Sequence, residues 1–395
     1  MVSESRLPDM NMATALAVLA LAIWLYLLVG RGGFWLTREH DDREAPPQPN
    51  RWPSVVAVVP ARNEADVIAQ SLKSLLQQDY PGPFRVVLVD DSSDDGTAAA
   101  ALEAAAALGA GERLEVLRGA ALPTGWTGKL WAQHQGVQHA SAGEAPDYLL
   151  LTDADIGHAP DNLRTLVPRA EREGYVLVSL MAQLSCGSWA ERFLVPAFVF
   201  FFQMLYPFAW VAQKERKIAA AAGGCMLVRR GVLERAGGIA SIRSEIIDDC
   251  ALARRLKAEG PIWLGLTRRA TSLRPYGGFW EIGRMVSRSA YAQLGYSPLL
   301  LAGTVAGLVL TFLMASIVTL FGSGLAQAAG LCAWLLMAFA FQPMLRFYRL
   351  SPLWGFALPA IAAAYTLFTV QSALEVWRGR GGMWKGRSQA MAGDT

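Results

Sequence analysis

Cysteine and histidine are scarce in this chain, with four of each in 395 residues. The cysteines (Cys186, Cys225, Cys250 and Cys332) form no C-x-x-C pair, and Cys332 lies inside an apolar run. A zinc cage or a disulfide framework is thereby disfavoured, and reduced thiols in a cytosolic compartment fit better. His134, His139 and His158 make no H-E-x-x-H pattern, although His158 follows Asp155 closely enough to be weighed as a neighbour of a metal. Charge is thin as well: 17% of residues are charged and the net charge is +3. That excludes a strongly basic nucleic-acid surface, so no nucleic-acid partner is expected, and the basic residues read as a cytosolic, juxtamembrane face. A Walker-type phosphate loop is missing too. In Gly125-Trp-Thr-Gly128-Lys129-Leu130 no glycine stands at the upstream spacing, and Leu130 occupies the Ser/Thr position.

What the chain has in excess is apolar sequence, 53% of residues. Ala13 to Val29 is unbroken and long enough to span a bilayer. No A-x-A site follows it, so it reads as an anchor rather than a cleaved signal peptide. Leu299–Phe321, Leu325–Leu345 and Leu353–Leu374 are three further candidate spans, the last carrying Pro359. Phe193–Ala212 is equally apolar, but one crossing there would put Asp153/Asp155 and Asp248/Asp249 on opposite sides of the membrane. With two prolines and many aromatics it reads as an interfacial or re-entrant element, a buried core helix being the alternative.

The expected organisation is an anchor (1–35), a charged Pro-rich linker (36–53), an α/β domain (54–296) carrying the interfacial segment 193–212, C-terminal membrane helices (297–376) and a basic tail (377–395). Arg31, Arg38, Arg43 and Arg51 follow the first span, which predicts a multi-pass protein of the cell (inner) membrane with its α/β domain in the cytoplasm. A third complete C-terminal span would carry Arg378, Arg380, Lys385 and Arg387 outside, against the same rule. Either the last segment re-enters or one span is misassigned.

Within the central domain, apolar runs of strand length alternate with helical patterns. Val55–Val59, Val86–Val89, Leu114–Leu117 and Tyr148–Leu151 read as strands; Asp66–Gln78, Thr97–Leu108 and Lys129–His139 read as helices. This βαβα order predicts a parallel-sheet α/β domain.

Two of those strands end in carboxylates: Asp90-Asp91, and Asp153-Ala-Asp155. Ligands of open α/β sheets sit beyond the carboxyl ends of the strands. Acidic tips there suit a divalent cation and, through it, a phosphorylated ligand; with only oxygen donors, Mg²⁺ or Mn²⁺ is favoured. Asp94-Asp95-Gly96-Thr97 reads instead as a turn that caps the next helix. Val59-Pro60-Ala-Arg62-Asn63-Glu64 closes the first strand and opens a helix, either an anion-friendly junction or a capped turn. Lys129 is a candidate to neutralise a diphosphate, with a solvated lysine as the plain alternative. Asp248-Asp249 stand where a helix begins, so the helix dipole favours their charged form; they are either caps or a general base.

In this order the motifs resemble the inverting family 2 glycosyltransferases with a GT-A fold, a Rossmann-like, mostly parallel sheet. The likeness covers about Ser54 to Leu294 and includes Gly223-Gly224-Cys225, Leu227-Val-Arg-Arg230 and Asp248-Asp249-x-x-Leu-x-x-Arg-Leu256. The full layout, with Gly125-Trp-Thr-Gly-Lys129, is similar to the hopene-associated glycosyltransferase group, and also to ceramide glucosyltransferase-like and carotenoid glycosyltransferase-like enzymes. The resemblance implies a nucleotide-sugar donor (a UDP-sugar), a membrane lipid acceptor and a metal. It implies that Pro60, Arg62, Glu64, Asp90 and Asp91 surround the nucleoside and that Lys129 and Arg288 lie near the diphosphate. It further implies that Asp153 faces the ribose or sugar, Asp155 ligates the metal, and Asp249 is the base with Asp248 beside it. One departure concerns the Gln/Arg-x-x-Arg-Trp motif of membrane-embedded relatives. Here Met285-Val-Ser-Arg288-Ser289 keeps only the arginine, which argues for a single transfer over a processive polysaccharide synthase. A catalytically idle scaffold that binds nucleotide-sugar or lipid is the remaining alternative.

Overall fold

The computed structural model describes residues 12–42, 47–379, 383–384 and 387–388. Arg43 of the expected linker, and Arg380 and Lys385 of the expected tail, lie outside the described residues, and Arg387 is described by its backbone alone. The chain divides into two compact units. One comprises Met1–Thr37, Ser188–Pro207 and Gly278–Glu375; the other comprises Arg38–Gly187, Phe208–Gly277 and Val376–Thr395.

The first unit is helical. Among the described residues four stretches are long and apolar enough to cross a bilayer: Met12–Gly30, Pro298–Phe321, Gly324–Phe347 and Pro352–Trp377. Pro359 lies one residue inside the helix Leu358–Trp377, which continues from a 3-10 turn over Pro352–Ala357. At a helix start the missing N–H has no intrahelical partner to lose, so the proline is tolerated. Val309–Leu313 winds as a π turn, and the Trp24 indole donates to the Thr311 carbonyl there at 2.8 Å. In an apolar setting a backbone carbonyl loosened by such a turn needs that kind of partner. The segment expected at 193–212 is broken at Tyr206-Pro207. The helix Trp189–Leu205 belongs to this unit, and the short helix Phe208–Ala212 to the other. A capping box between Ser188 and Glu191 starts the longer helix, and Arg31 donates to the Met204 and Leu205 carbonyls at its end. The helix Phe279–Gln293 also belongs here. It is tied to the last span by Ser287 Oγ donating to the Phe368 carbonyl and by the Tyr291 N–H donating to Ser372 Oγ.

The second unit is built on one eight-stranded sheet: β1 (Val55–Ala61), β2 (Phe84–Asp90), β3 (Leu114–Arg118), β4 (Tyr148–Leu151), β5 (Ile156–His158), β6 (Leu177–Gln183), β7 (Met226–Arg229) and β8 (Ile262–Ser272). Its order is β3-β2-β1-β4-β7-β6-β8-β5. The first four strands pair in parallel, as their unbroken apolar runs predict, with every residue of β1 and β4 buried. Each Val or Leu buried there contributes roughly 1.5–3 kcal/mol. The sheet as a whole is mixed. The chain enters β7 at the carboxyl edge of β4, Met226 pairing with Leu151, so β7 runs antiparallel to both its neighbours. The helix over 66–78 begins later than its sequence pattern implies, at Ile68, because Glu64–Val67 form an entry turn in which the Glu64 carbonyl accepts from the Val67 and Ile68 N–H groups. Inside the expected linker, Glu39–Asp41 lies along β8: the Leu266 N–H donates to the Glu39 carbonyl and the Asp41 N–H to the Leu266 carbonyl. Buried Asp41 there accepts from Thr267 and pairs with Arg269.

Candidate active site

The strand order reverses at β1. The chain runs outward through β2 and β3, then returns to add β4 on the other side of β1. Such a reversal leaves a crevice at the carboxyl ends of the two strands, because the flanking connections cross opposite faces of the sheet. Those ends carry Ala61-Arg62 and Thr152-Asp153. Pro60 is buried within β1 at a position where pairing with β4 has already ended, at Val58↔Leu151, so its missing N–H breaks no ladder on that side.

On the β1–β2 side the acidic tip shapes a loop. Asp90 Oδ1 accepts from the Ser93 N–H at 3.1 Å, and Gly119 donates to the Asp90 carbonyl at 2.8 Å. Asp91 is 1% exposed; its carboxylate lies 3.8 Å from the Arg62 guanidinium, which also donates to the Asp91 backbone carbonyl. Two non-glycine residues face each other here with left-handed backbones, Asn63 (φ 52°) and Ser92 (φ 56°). They are held by Asn63 N–H to Ser93 Oγ and by Asp94 N–H to Asn63 Oδ1. Asp95 plays the capping part read from sequence. Its Oδ1 accepts from the N–H and hydroxyl of Thr97, while its Oδ2 accepts from Ala65.

On the β4 side the carboxylates and one lysine form a cluster. The helix Gly128–Ser141 is capped by Thr127, which leaves Lys129 in its first turn. The Lys129 ammonium lies 2.8 Å from Asp153 Oδ1 and 3.0 Å from Asp248 Oδ2. Burial pulls against the charge on this lysine, but the two carboxylates outweigh it and hold the ammonium above the usual lysine range. Asp248 and Asp249 open the helix Asp248–Glu259. Asp249 is oriented by two backbone donors: its Oδ1 accepts from Cys250 at 2.7 Å and its Oδ2 from Gly223 at 3.1 Å. Burial and the neighbouring Asp248 raise its carboxyl to about 6 against the pull of Lys129 and those two donors. A Cβ on Gly223 would come within 3.3 Å of the Lys129 ammonium, so the turn passes the cluster at a distance only glycine tolerates easily.

Asp155 lies behind Asp153. Burial, then Asp153 and Glu64, raise its carboxyl to about 6, and Arg274 partly offsets them. Arg274 is the residue that sequence reading missed. It donates to Glu64 and, at 3.0 Å, to Asp66, from just beyond the end of β8. A lone arginine before Pro275-Tyr-Gly-Gly carries no local signal; only the pairing of β5 with β8 brings it alongside the first strand's tip. The donor set fits a divalent cation of the Mg²⁺ class in one respect: oxygen ligands lie in a spot with excess negative charge, which a cation would relieve. It is a partial set, since among the described residues no three His, Cys, Asp or Glu side chains are arranged to hold a metal. The remaining ligands of an Mg²⁺-type ion are typically water and phosphate oxygens. His158 is not one of the donors. Both its ring nitrogens are engaged, with Thr152 at 3.0 Å and Asn162 at 2.8 Å. Arg288 stands exposed on the helix Phe279–Gln293, which belongs to the first unit.

Residues 56–237 match the family model described as glycosyl transferase family 2. An N-acetylglucosaminyltransferase of Mesorhizobium japonicum is 28% identical over 197 residues, 48% of this chain and 42% of the relative. A beta-monoglucosyldiacylglycerol synthase of Nostoc sp. is 38% identical over 122 residues, 31% of this chain and 24% of that protein. The chain thus spans less than half the length of either relative. Among solved structures, the mannosyltransferase PcManGT from Pyrobaculum calidifontis, in complex with GDP-Man and Mn²⁺, superposes with a TM-score of 0.58 at 20% identity, over 91% of this chain and 99% of that one. The likeness identifies the fold of the sheet unit as GT-A.

Proposed function

We propose that this glycosyl transferase family 2 domain moves one sugar from a nucleotide-sugar, a UDP-sugar as first candidate, to the hydroxyl of a membrane lipid with inversion at the anomeric carbon. The observation that carries the reading is the cluster at the switch point, where Lys129 joins Asp153 of the strand tip to Asp248, the neighbour of a half-buried carboxylate held by two backbone donors. Arg62, Glu64, Asp90 and Asp91, with Pro60 beneath them, are assigned to the nucleoside, and Asp153 to the ribose or sugar. Asp249 takes the proton of the acceptor hydroxyl as its oxygen attacks the anomeric carbon. The bond from that carbon to the diphosphate breaks, and the electron pair leaves with the nucleoside diphosphate. Lys129 offers positive charge to the leaving group. A divalent cation held by Asp155 with Asp153 would supply further charge stabilisation to the diphosphate.

With its carboxyl near 6, Asp249 is mostly ionised at pH 7 and so able to accept a proton. Turnover is therefore expected to fall about tenfold per unit as pH drops below about 6. A flat profile between pH 5 and 7 would count against Asp249 as base.

Asp155 gives a test that needs no turnover. A carboxyl raised from 3.8 to about 6 favours folding when protonated, and that contribution fades as pH rises through about 6. At pH 7 without metal, Asp155→Asn is expected to raise Tm, reflecting relief on the order of 2 kcal/mol. It is also expected to abolish the upward Tm shift that Mn²⁺ produces in the wild type. A mutant that still responds to Mn²⁺ would remove Asp155 from the metal site.

The lipid acceptor is supported by the four apolar helical stretches and by the glycolipid product named for the Nostoc relative. A hopanoid is the first acceptor to try, with diacylglycerol beside it. Arg31, Arg38 and Arg51 after the first helix support a cytoplasmic catalytic unit at the inner membrane. The deciding experiment measures nucleoside diphosphate release by detergent-purified protein across a panel of UDP- and GDP-sugars, with Mg²⁺ or Mn²⁺ and added lipid. Metal-dependent release from one donor with one sugar per lipid product supports the proposal. A growing polymer would favour a synthase, and no release from any UDP- or GDP-sugar would favour the scaffold.

A further inference from the structure

We propose that Asn162, His158 and Thr152 are positioning residues, a buried relay that fixes the Gly223–Gly224 turn and through it holds Asp249 in its proton-accepting orientation. The inference rests on the transferase reading and concerns three residues which that reading leaves without a role.

The order of the bonds follows from the chemistry of the groups. The Asn162 side-chain nitrogen lies 2.8 Å from His158 Nδ1. An amide nitrogen only donates, so Nδ1 accepts and the ring proton is assigned to Nε2. That N–H donates to Thr152 Oγ1 at 3.0 Å, and the Thr152 hydroxyl donates to the Gly224 carbonyl at 2.7 Å. All three side chains are buried. Burial also pushes the His158 imidazole down to about 4, so it stays neutral at physiological pH and keeps this direction of donation.

The turn is pinned on both sides of Gly223. Upstream, Ser179 Oγ accepts from the Ala222 N–H at 2.8 Å and donates to the Ala222 carbonyl at 3.2 Å. Downstream, Thr152 holds Gly224. The N–H between these two anchors points at Asp249 Oδ2. With Cys250 holding Oδ1, the plane of the carboxylate is set by two donors, only one of which belongs to its own helix. Releasing the Gly224 carbonyl lets the other donor drift. A proton acceptor acts only within a narrow distance and angle, so such drift lowers the chemical step more than it lowers donor binding.

The test compares Thr152→Val, which keeps the shape and removes the hydroxyl, with Thr152→Ser, which keeps the hydroxyl, in full-length protein in detergent. Thr152→Ala stands by should the valine variant fail to fold. Two quantities are read: amide hydrogen exchange over residues 222–226, and kcat with donor KM. The hydroxyl-free variant is expected to exchange faster in that segment and to lose on the order of tenfold in kcat. Its donor KM is expected to stay within about twofold of the wild type, since the donor contacts are unchanged. Thr152→Ser is expected to match the wild type in both. Unchanged exchange in Thr152→Val, a proportionate change of kcat and KM, or an equal loss in Thr152→Ser would overturn the relay. Exchange is read without turnover, so a wild type inactive with every donor would sink the transferase reading while the loop measurement still decides the relay.

Discussion

Asp249→Asn is expected to lose about 10²–10⁴-fold in kcat, the usual contribution of a positioned general base, while binding UDP as the wild type does. The substitution keeps the side chain's shape but only one oxygen acceptor, so one of the two backbone donors, the Cys250 or the Gly223 N–H, loses its partner and faces the amide nitrogen. It also makes an unusual stability prediction. The Asp249 carboxyl is raised above its ordinary value of 3.8, to about 6, by burial and by Asp248. A group raised in the folded state favours folding while protonated and loses that contribution as pH rises through its folded value. At pH 7 the ionised carboxylate therefore costs stability, and a neutral amide removes the cost. The Tm of the inactive variant relative to the wild type is therefore expected to be higher at pH 7 than at pH 4, the lost backbone hydrogen bond lowering it alike at both. Inactivity combined with a lower Tm and lost UDP binding would point to misfolding and remove the support for Asp249 as base.

Lys129→Met is expected to act in the opposite sense on stability. It removes the ammonium that sits 2.8 Å from Asp153 and 3.0 Å from Asp248. Removing one partner of a fully buried ion pair costs about 3–5 kcal/mol; Lys129 is 18% exposed, so a cost of roughly 2–3 kcal/mol at pH 7 is expected. The loss recovers as pH falls and the abandoned carboxylates take up protons. Because Lys129 lowers the Asp249 value, its removal also moves the acid limb of the rate profile upward from about 6. Turnover at pH 7 is expected to fall by about 10²-fold from the combined loss of leaving-group charge and of ionised base. Melting curves from pH 5 to 8 and a kcat profile over the same range check both parts. An unshifted acid limb would mean that Lys129 is electrically remote from the base, and the cluster would lose its central member.

Gly224 and Arg274 show why a site can be half visible before folding. The Gly223-Gly224-Cys225 motif is apparent in the sequence, yet nothing local says that its N–H points at Asp249 or that Thr152 holds its carbonyl from 72 residues away. Arg274 meets Glu64 across 210 residues, through a pairing of β5 and β8 that no periodicity announces. His158 beside an Asp-x-Asp is an ambiguous sign in sequence; burial and two hydrogen bonds make it a neutral internal residue.

The strands that end in carboxylates, the helices between them and the four long apolar stretches were determined by the sequence alone, because an unbroken apolar run or a helical period is a property of neighbours along the chain. Strand order and side-chain partnership were decided only by the tertiary structure. The return of β4 to the far side of β1 creates the crevice, and the entry of β7 at the carboxyl edge brings the Gly223 turn to Asp249. Lys129 reads from sequence as a counter-ion for a ligand; the fold makes it the link between two carboxylates from distant elements. Such charges are forced together only when burial of the sheet's apolar faces, a non-local and collective stabilisation, outweighs their desolvation.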